Sequence, residues 1–154
     1  MVKTKVPSQE TKLTKASELK TVISGSYRKH LREILLLKNF LITEGIEVLA
    51  PVSGTAINVD DEFIILDSDP LNDPRILQDS IFGRMRQSSF HVILNKNGYL
   101  GNAALLELGY AIAIGLQILT LEEVTDPNLS VYCRNFVEVF PNWRGFEKAN
   151  LVTQ

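Results

Sequence analysis

The feature that most constrains this chain is an alternation of short β-rich apolar runs with helical repeats. Residues 21–24, 46–52, 90–94 and 117–121 are such runs, bounded by glycine, proline, asparagine and serine, as strands are. The runs 90–94 and 117–121 are continuously apolar enough for strands covered on both faces. Between the runs, apolar residues recur at helical spacing: Leu31, Ile34, Leu37 and Leu41, then Leu77, Ile81, Phe82 and Met85, then residues 103–114. Asn72-Asp73-Pro74 reads as a helix start, and Gly45 and Gly115 stand where helices end. Strands alternating with helices make a parallel sheet with helices on both faces. The expected fold is therefore α/β, a flavodoxin- or Rossmann-like three-layer αβα domain with a mostly parallel sheet. Residues 131–140 are expected to add a last strand, and residues 143–154 to form a tail that docks. Residues 1–20 are expected to be a flexible tail, residues 21–154 a single domain, and residues 53–74 loop-like with a possible short strand at Phe63–Leu66.

A chain of 154 residues suffices for one core and not for two ordinary domains. Its formal net charge of -2 and the lack of a dense Lys/Arg stripe argue against nucleic acid, which needs a basic face. Cys133 is the only cysteine, so an internal disulfide and a multi-cysteine zinc site are excluded and a cytoplasmic setting is expected. The longest apolar stretch, 103–121, contains Glu107 and Gln117 and is interrupted by Gly109 and Gly115. No membrane span is expected there. A small molecule is the expected partner.

In an open parallel sheet, ligands bind beyond the carboxyl ends of the strands, here the loops 24–29, 52–62 and 95–102. Glu107 is the only charged residue between Lys96 and Glu122, on a helix where Ala103, Ala104, Tyr110 and Ala111 share its face. Gly109 suggests a close approach of backbone, partner or ligand, because glycine inside a helix costs about 1 kcal/mol. The bland alternative is a solvated glutamate near a helix N-terminus. Ser24, Gly25 and Ser26 supply hydroxyls and N–H groups suited to a phosphate or sugar, and Arg28 could add a fork. Against that, Ser26 is a common cap and Arg28 an ordinary solvated residue. Asn102 reads first as the cap of the third helix and second as an amide facing a ligand. Tyr99 and Tyr110 line a site or simply pack.

Other residue types carry less. The acidic stretch Asp60, Asp61, Glu62, Asp67, Asp69 and Asp73 lacks the glycine and terminal glutamate of a calcium loop, so a solvated loop is expected, with no metal or cofactor. His91 reads as a hydrogen-bonded core histidine and His30 as a solvated one. Cys133 would need a histidine beside it to act as a protease nucleophile.

Gly98-Tyr99-Leu100-Gly101 followed by Glu107-Leu108-Gly109-Tyr110-Ala111 resembles the signature of the nucleoside 2-deoxyribosyltransferase superfamily, including its 2′-deoxynucleoside 5′-monophosphate N-glycosidase branch. Ile23-Ser24-Gly25-Ser26-Tyr27-Arg28 is similar to the turn after that family's first strand. The resemblance spans roughly residues 21–121. It implies that Glu107 is a nucleophile acting at an N-glycosidic bond, that Ser24, Gly25, Ser26, Tyr27, Arg28, Tyr99, Gly101 and Asn102 bind a nucleoside or nucleotide, that Asp61 reaches a sugar hydroxyl, and that the protein is a homo-oligomer. The chain departs from the family at Ser88-Ser89, where an aspartate is usual, and at Ala103-Ala104, where glycines are usual; Asp79 is out of register with the supporting carboxylate. These departures carry a second expectation, a module of the same fold that binds a nucleotide without turning it over. Cleavage of a nicotinamide dinucleotide is weaker still, since nothing marks a second nucleotide site.

Overall fold

The computed structural model describes residues 19–52 and 73–147. Five strands, β1 (Lys20–Ser24), β2 (Glu47–Ala50), β3 (Phe90–Ile93), β4 (Gln117–Thr120) and β5 (Cys133–Asn135), form one sheet in the order β2-β1-β3-β4-β5. Every pairing is parallel. The helices are α1 (Tyr27–Thr43), α2 (Pro74–Arg86), α3 (Asn102–Ala113) and two short ones, α4 (Pro127–Ser130) and α5 (Phe136–Val139).

Alternation along the strands divides the core in two. Ile23, Val92 and Leu119 point to one face with Ile34, Leu37 and Leu41 of α1 and with Phe136, Phe140 and Trp143. Val22, Ile93 and Ile118 point to the other, against Met85 of α2 and Leu108 and Ala111 of α3. The chain is thus the expected three-layer α/β domain.

Local chemistry fixes the helix ends. Asp73 caps α2 by accepting from the N–H groups of Arg75 and Ile76 at 2.9 and 3.3 Å, with Pro74 in the first turn. Gly45 and Gly115 follow α1 and α3 with φ of +86° and +79°, the left-handed conformation that closes a helix and favours glycine.

Several expectations change. Residues 131–140 are not one strand: β5 stops at Asn135, whose side chain accepts from Val137 N–H and caps α5. The described part of the expected docking tail, residues 143–147, does pack, Trp143 lying 5.0 Å from the Phe40 ring edge-to-face and Phe146 lying 5.2 Å from Trp143. Gly109 faces open space, with nothing within 4 Å of where a Cβ would stand, so the close approach it suggested is absent among the described residues. Ala104 and Ala111, which share the face of Glu107, are buried inside the chain. Phe63–Leu66, Asp61 with its acidic neighbours at 60–69, the tail at 1–18 and residues 148–154 lie outside the described residues.

Candidate active site

The strand order reverses between β1 and β3, because β1 leads outward to β2 and β3 leads the other way to β4. Loops leaving the carboxyl ends of two such strands part to opposite faces and leave a crevice. A cavity of about 580 Å³ lies here, lined from β1 onward by Gly25, Ser26, Tyr27 and Arg28, by residues 50–52 after β2, by Tyr99 to Asn102, and by α2 and α3. Its volume is in the usual range for a small-molecule site.

Glu107 forms part of this wall and is nonetheless 9 % exposed. The solvated reading of Glu107 is therefore wrong: α2 and the end of β1 cover it. Ser24, the last residue of β1, donates its hydroxyl to Glu107 Oε1. Gln78 of α2 donates Nε2–H to Oε2 at 2.8 Å. Burial pushes the Glu107 carboxyl above the usual carboxylate range, and the two donated hydrogen bonds pull it back. No cation pairs with it in the described residues, so these neutral donors are what hold the charge.

Ser24 has a second partner. His91 of β3 is completely buried and places Nε2 2.8 Å from Ser24 Oγ. It is the expected hydrogen-bonded core histidine, and burial holds its pKa down to about 4, so it is neutral.

The first turn is tightly built. A Cβ on Gly25 would lie 3.1 Å from both the Ile34 side chain and the Leu94 carbonyl, so glycine lets β1 turn into α1 against β3. Ser26 does cap α1, accepting from Lys29 N–H at 3.2 Å, and also borders the cavity. Arg28 is exposed at the cavity wall, and Arg84 reaches the same cavity from α2 half-buried. Neither guanidinium has a carboxylate partner among the described residues. Tyr99 lines the cavity, with Lys29 Nζ 3.8 Å from the centre of its ring. Tyr110 does not: it stacks on Phe82 at 4.3 Å and accepts from Arg86 at 2.7 Å.

Other expectations need correction. The N-cap of α3 is Gly101, not Asn102; Asn102 is the first helical residue and borders the cavity. His30 is half-buried rather than solvated, its Nδ1 without a hydrogen-bond partner among the described residues, and burial lowers its pKa. Cys133 pairs in register with Ile118, which pairs with His91, so the thiol stands two strand spacings, roughly 10 Å, from the imidazole. Burial also raises the thiol's pKa. A Cys133–His91 pair is thereby ruled out.

Asp79 stands on the exposed side of α2 beside Arg75, 3.9 Å away, and it is Gln78 that meets the glutamate. Ser88 and Ser89, in place of the family's aspartate, lie before the start of β3, at the opposite end of that strand from the cavity. There Ser88 donates to the Arg84 carbonyl and Ser89 accepts from Lys20 N–H. Gln78 and Arg84 were not singled out from the sequence. The signal for Gln78 was present: it precedes Ile81 by one turn and Met85 by two, a polar residue on the apolar stripe of α2. Among the described residues no three His, Cys, Asp or Glu side chains are grouped to hold a metal ion, and no helix is long and apolar enough to cross a membrane. Compared with family models, curated proteins and solved structures, the chain has no match.

Proposed function

We propose that this protein breaks the N-glycosidic bond of a nucleoside 5′-monophosphate or nucleoside, with Glu107 as nucleophile, and releases the sugar to water or to a second base. The observation that carries this reading is a buried carboxylate at a cavity wall, with a single donor on each oxygen and no neutralising cation among the described residues. Such a group keeps lone pairs free to attack, and burial makes it a stronger electrostatic partner for positive charge. As the bond between C1′ and the base nitrogen breaks, its electron pair leaves with the base and positive charge grows at C1′. The Glu107 carboxylate stabilises that charge and then bonds to C1′. Attack at C1′ by water or by another base frees the carboxylate, with one proton released from the attacking group.

Arg28 and Arg84, at the same cavity and without a carboxylate partner among the described residues, favour an anionic substrate, so the 5′-monophosphate is preferred to the bare nucleoside. Ser26 and the N–H groups around Gly25 open α1, where a phosphate is further favoured. Tyr99 offers a face to a base or sugar. We also propose a homo-oligomer, supported by the outer stripe of α3, where Leu105 and Leu106 are 40 % and 55 % exposed beside Gly109. A cytoplasmic setting fits the single cysteine.

The test is release of free base from a panel of nucleosides and 5′-monophosphates, with and without a second base, for wild type and Glu107→Ala. Release by wild type and none by the variant is expected, with base exchange separating transfer from hydrolysis. Binding of a nucleotide by wild type without any release would replace catalysis by nucleotide sensing.

A further inference from the structure

The mechanism above makes no use of His91, yet a histidine on the middle strand of the sheet with no exposure is a costly choice where valine would pack. Its neighbours in register are Val22 on β1 and Ile118 on β4. It faces the apolar layer under α2 and α3. Burying an imidazole among such groups is unfavourable unless its hydrogen bonds matter, and the only one it makes among the described residues is to Ser24 Oγ.

The direction of that bond follows from the proton count. Ser24 has one hydroxyl proton, and it goes to Glu107 Oε1. Ser24 Oγ then accepts from His91, so the imidazole proton sits on Nε2. The reverse direction would place the proton on Nδ1, which has no acceptor within reach among the described residues. The result is a one-way chain from Nε2–H of His91 to Ser24 Oγ–H to Glu107 Oε1.

We propose that His91 is a positioning residue for the reaction, holding the Ser24 hydroxyl with its proton aimed at Glu107 so that the carboxylate stays oriented and ionised in a dry site. Without it the hydroxyl is free to turn to other acceptors, and Glu107 keeps only Gln78 as a fixed donor. Among the described residues the other charged or titratable groups bordering the cavity are Tyr27 and Arg28 from α1, Arg84 from α2 and Tyr99 from the loop before α3; all four are retained in the variants below. This inference rests on Glu107 being the nucleophile, and its test separates the two.

The test uses the full chain with its glutamates labelled with carbon-13 at the carboxyl carbon. The Glu107 resonance is assigned by its loss in Glu107→Gln and followed through a pH titration. In His91→Leu and in Ser24→Ala, the Glu107 midpoint is expected to rise by about one pH unit, a tenfold change in ionisation below it. His91→Gln keeps an N–H where Nε2 stood and is expected to stay near wild type. Where base release is measurable, the acid limb of kcat moves with the carboxyl midpoint, so His91→Leu is about tenfold slower on that limb, with KM little changed. A Glu107 midpoint that is the same in wild type, His91→Leu and Ser24→Ala, all folded by their amide spectra, overturns the proposal. So does a His91→Gln variant that behaves as His91→Leu does. Base release that survives in Glu107→Gln sinks the nucleophile instead, while the titration still reads the relay.

Discussion

At the scale of the residue, the site sets burial against hydrogen bonding, and two groups answer with opposite pH dependence. The Glu107 carboxyl titrates above its unfolded value because burial disfavours its charge. Its contribution to stability is thus present below about pH 4.5 and is lost as pH rises through the raised midpoint. Glu107→Gln, which removes the charge and keeps the shape, is expected to raise Tm at pH 7.5 and to do so much less at pH 4. An equal shift at both pH values would show that burial of the charge is not what Glu107 costs. His91 has the opposite sign, its folded pKa being depressed to about 4 from 6.5. Its contribution is present above pH 6.5 and is lost as pH falls through 4, up to about 3 kcal/mol. Chemical denaturation of His91→Gln across that range is expected to show a flatter acid loss than wild type. Arg84→Ala is expected to raise KM for 5′-monophosphates about tenfold or more and leave KM for nucleosides nearly unchanged, since one charge-assisted hydrogen bond is worth about 1.5–3 kcal/mol. Equal effects on both substrates would remove the phosphate from that side chain. Glu107 stood out in the sequence because it is a lone charge on an apolar helix. Gln78 shows in the sequence only as a polar residue on an apolar stripe and His91 only as a core histidine, since both gain their role when α2 and β3 are set against Glu107 by tertiary packing.

At the scale of the element, α2 is the part of the site most dependent on one local interaction. It supplies Gln78 and Arg84, and its first turn is held by Asp73 and Pro74. Asp73→Ala is expected to cost about 1 kcal/mol of stability, the usual worth of such a cap, measured as a shift in urea midpoint at unchanged slope. Little or no shift would mean that packing of Leu77 and Met85 holds the helix start unaided. This start was legible because Asn-Asp-Pro has a local cause. The start of α3 was misread by one residue, since Gly101 takes the cap position without a side-chain hydrogen bond and Asn102 looked the better cap. Past β4 the misreading was larger. Residues 131–140 are apolar enough for a strand, but Asn135 caps a helix and Phe136 turns into the core, stacked on Phe140 at 4.9 Å and wholly buried. A strand and a short aromatic-rich helix draw on the same residues, and only the position of the core decides between them.

At the scale of the whole molecule, the order of strands places the chemistry. Parallel pairing followed from the strand-helix alternation and pointed to the loops 24–29, 52–62 and 95–102, whereas the reversal between β1 and β3 that opens the crevice is seen only in the strand order. What alternation could not tell is which face of α3 would be inside. Ala104, Glu107, Leu108 and Ala111 are buried, which sends Leu105, Leu106, Gly109 and Ala113 outward. A glycine at the centre of that stripe leaves it flat, and flat apolar surface on a helix is where a second copy packs closely. Because α3 carries Glu107 on its inner side and this stripe on its outer side, association would stiffen the helix that holds the proposed nucleophile. Leu106→Glu is therefore expected to give a monomer by light scattering at concentrations where wild type is larger, with Tm no longer rising with protein concentration. A wild type that is already monomeric at high micromolar concentration would leave the α3 stripe as exposed surface and confine the active unit to a single chain.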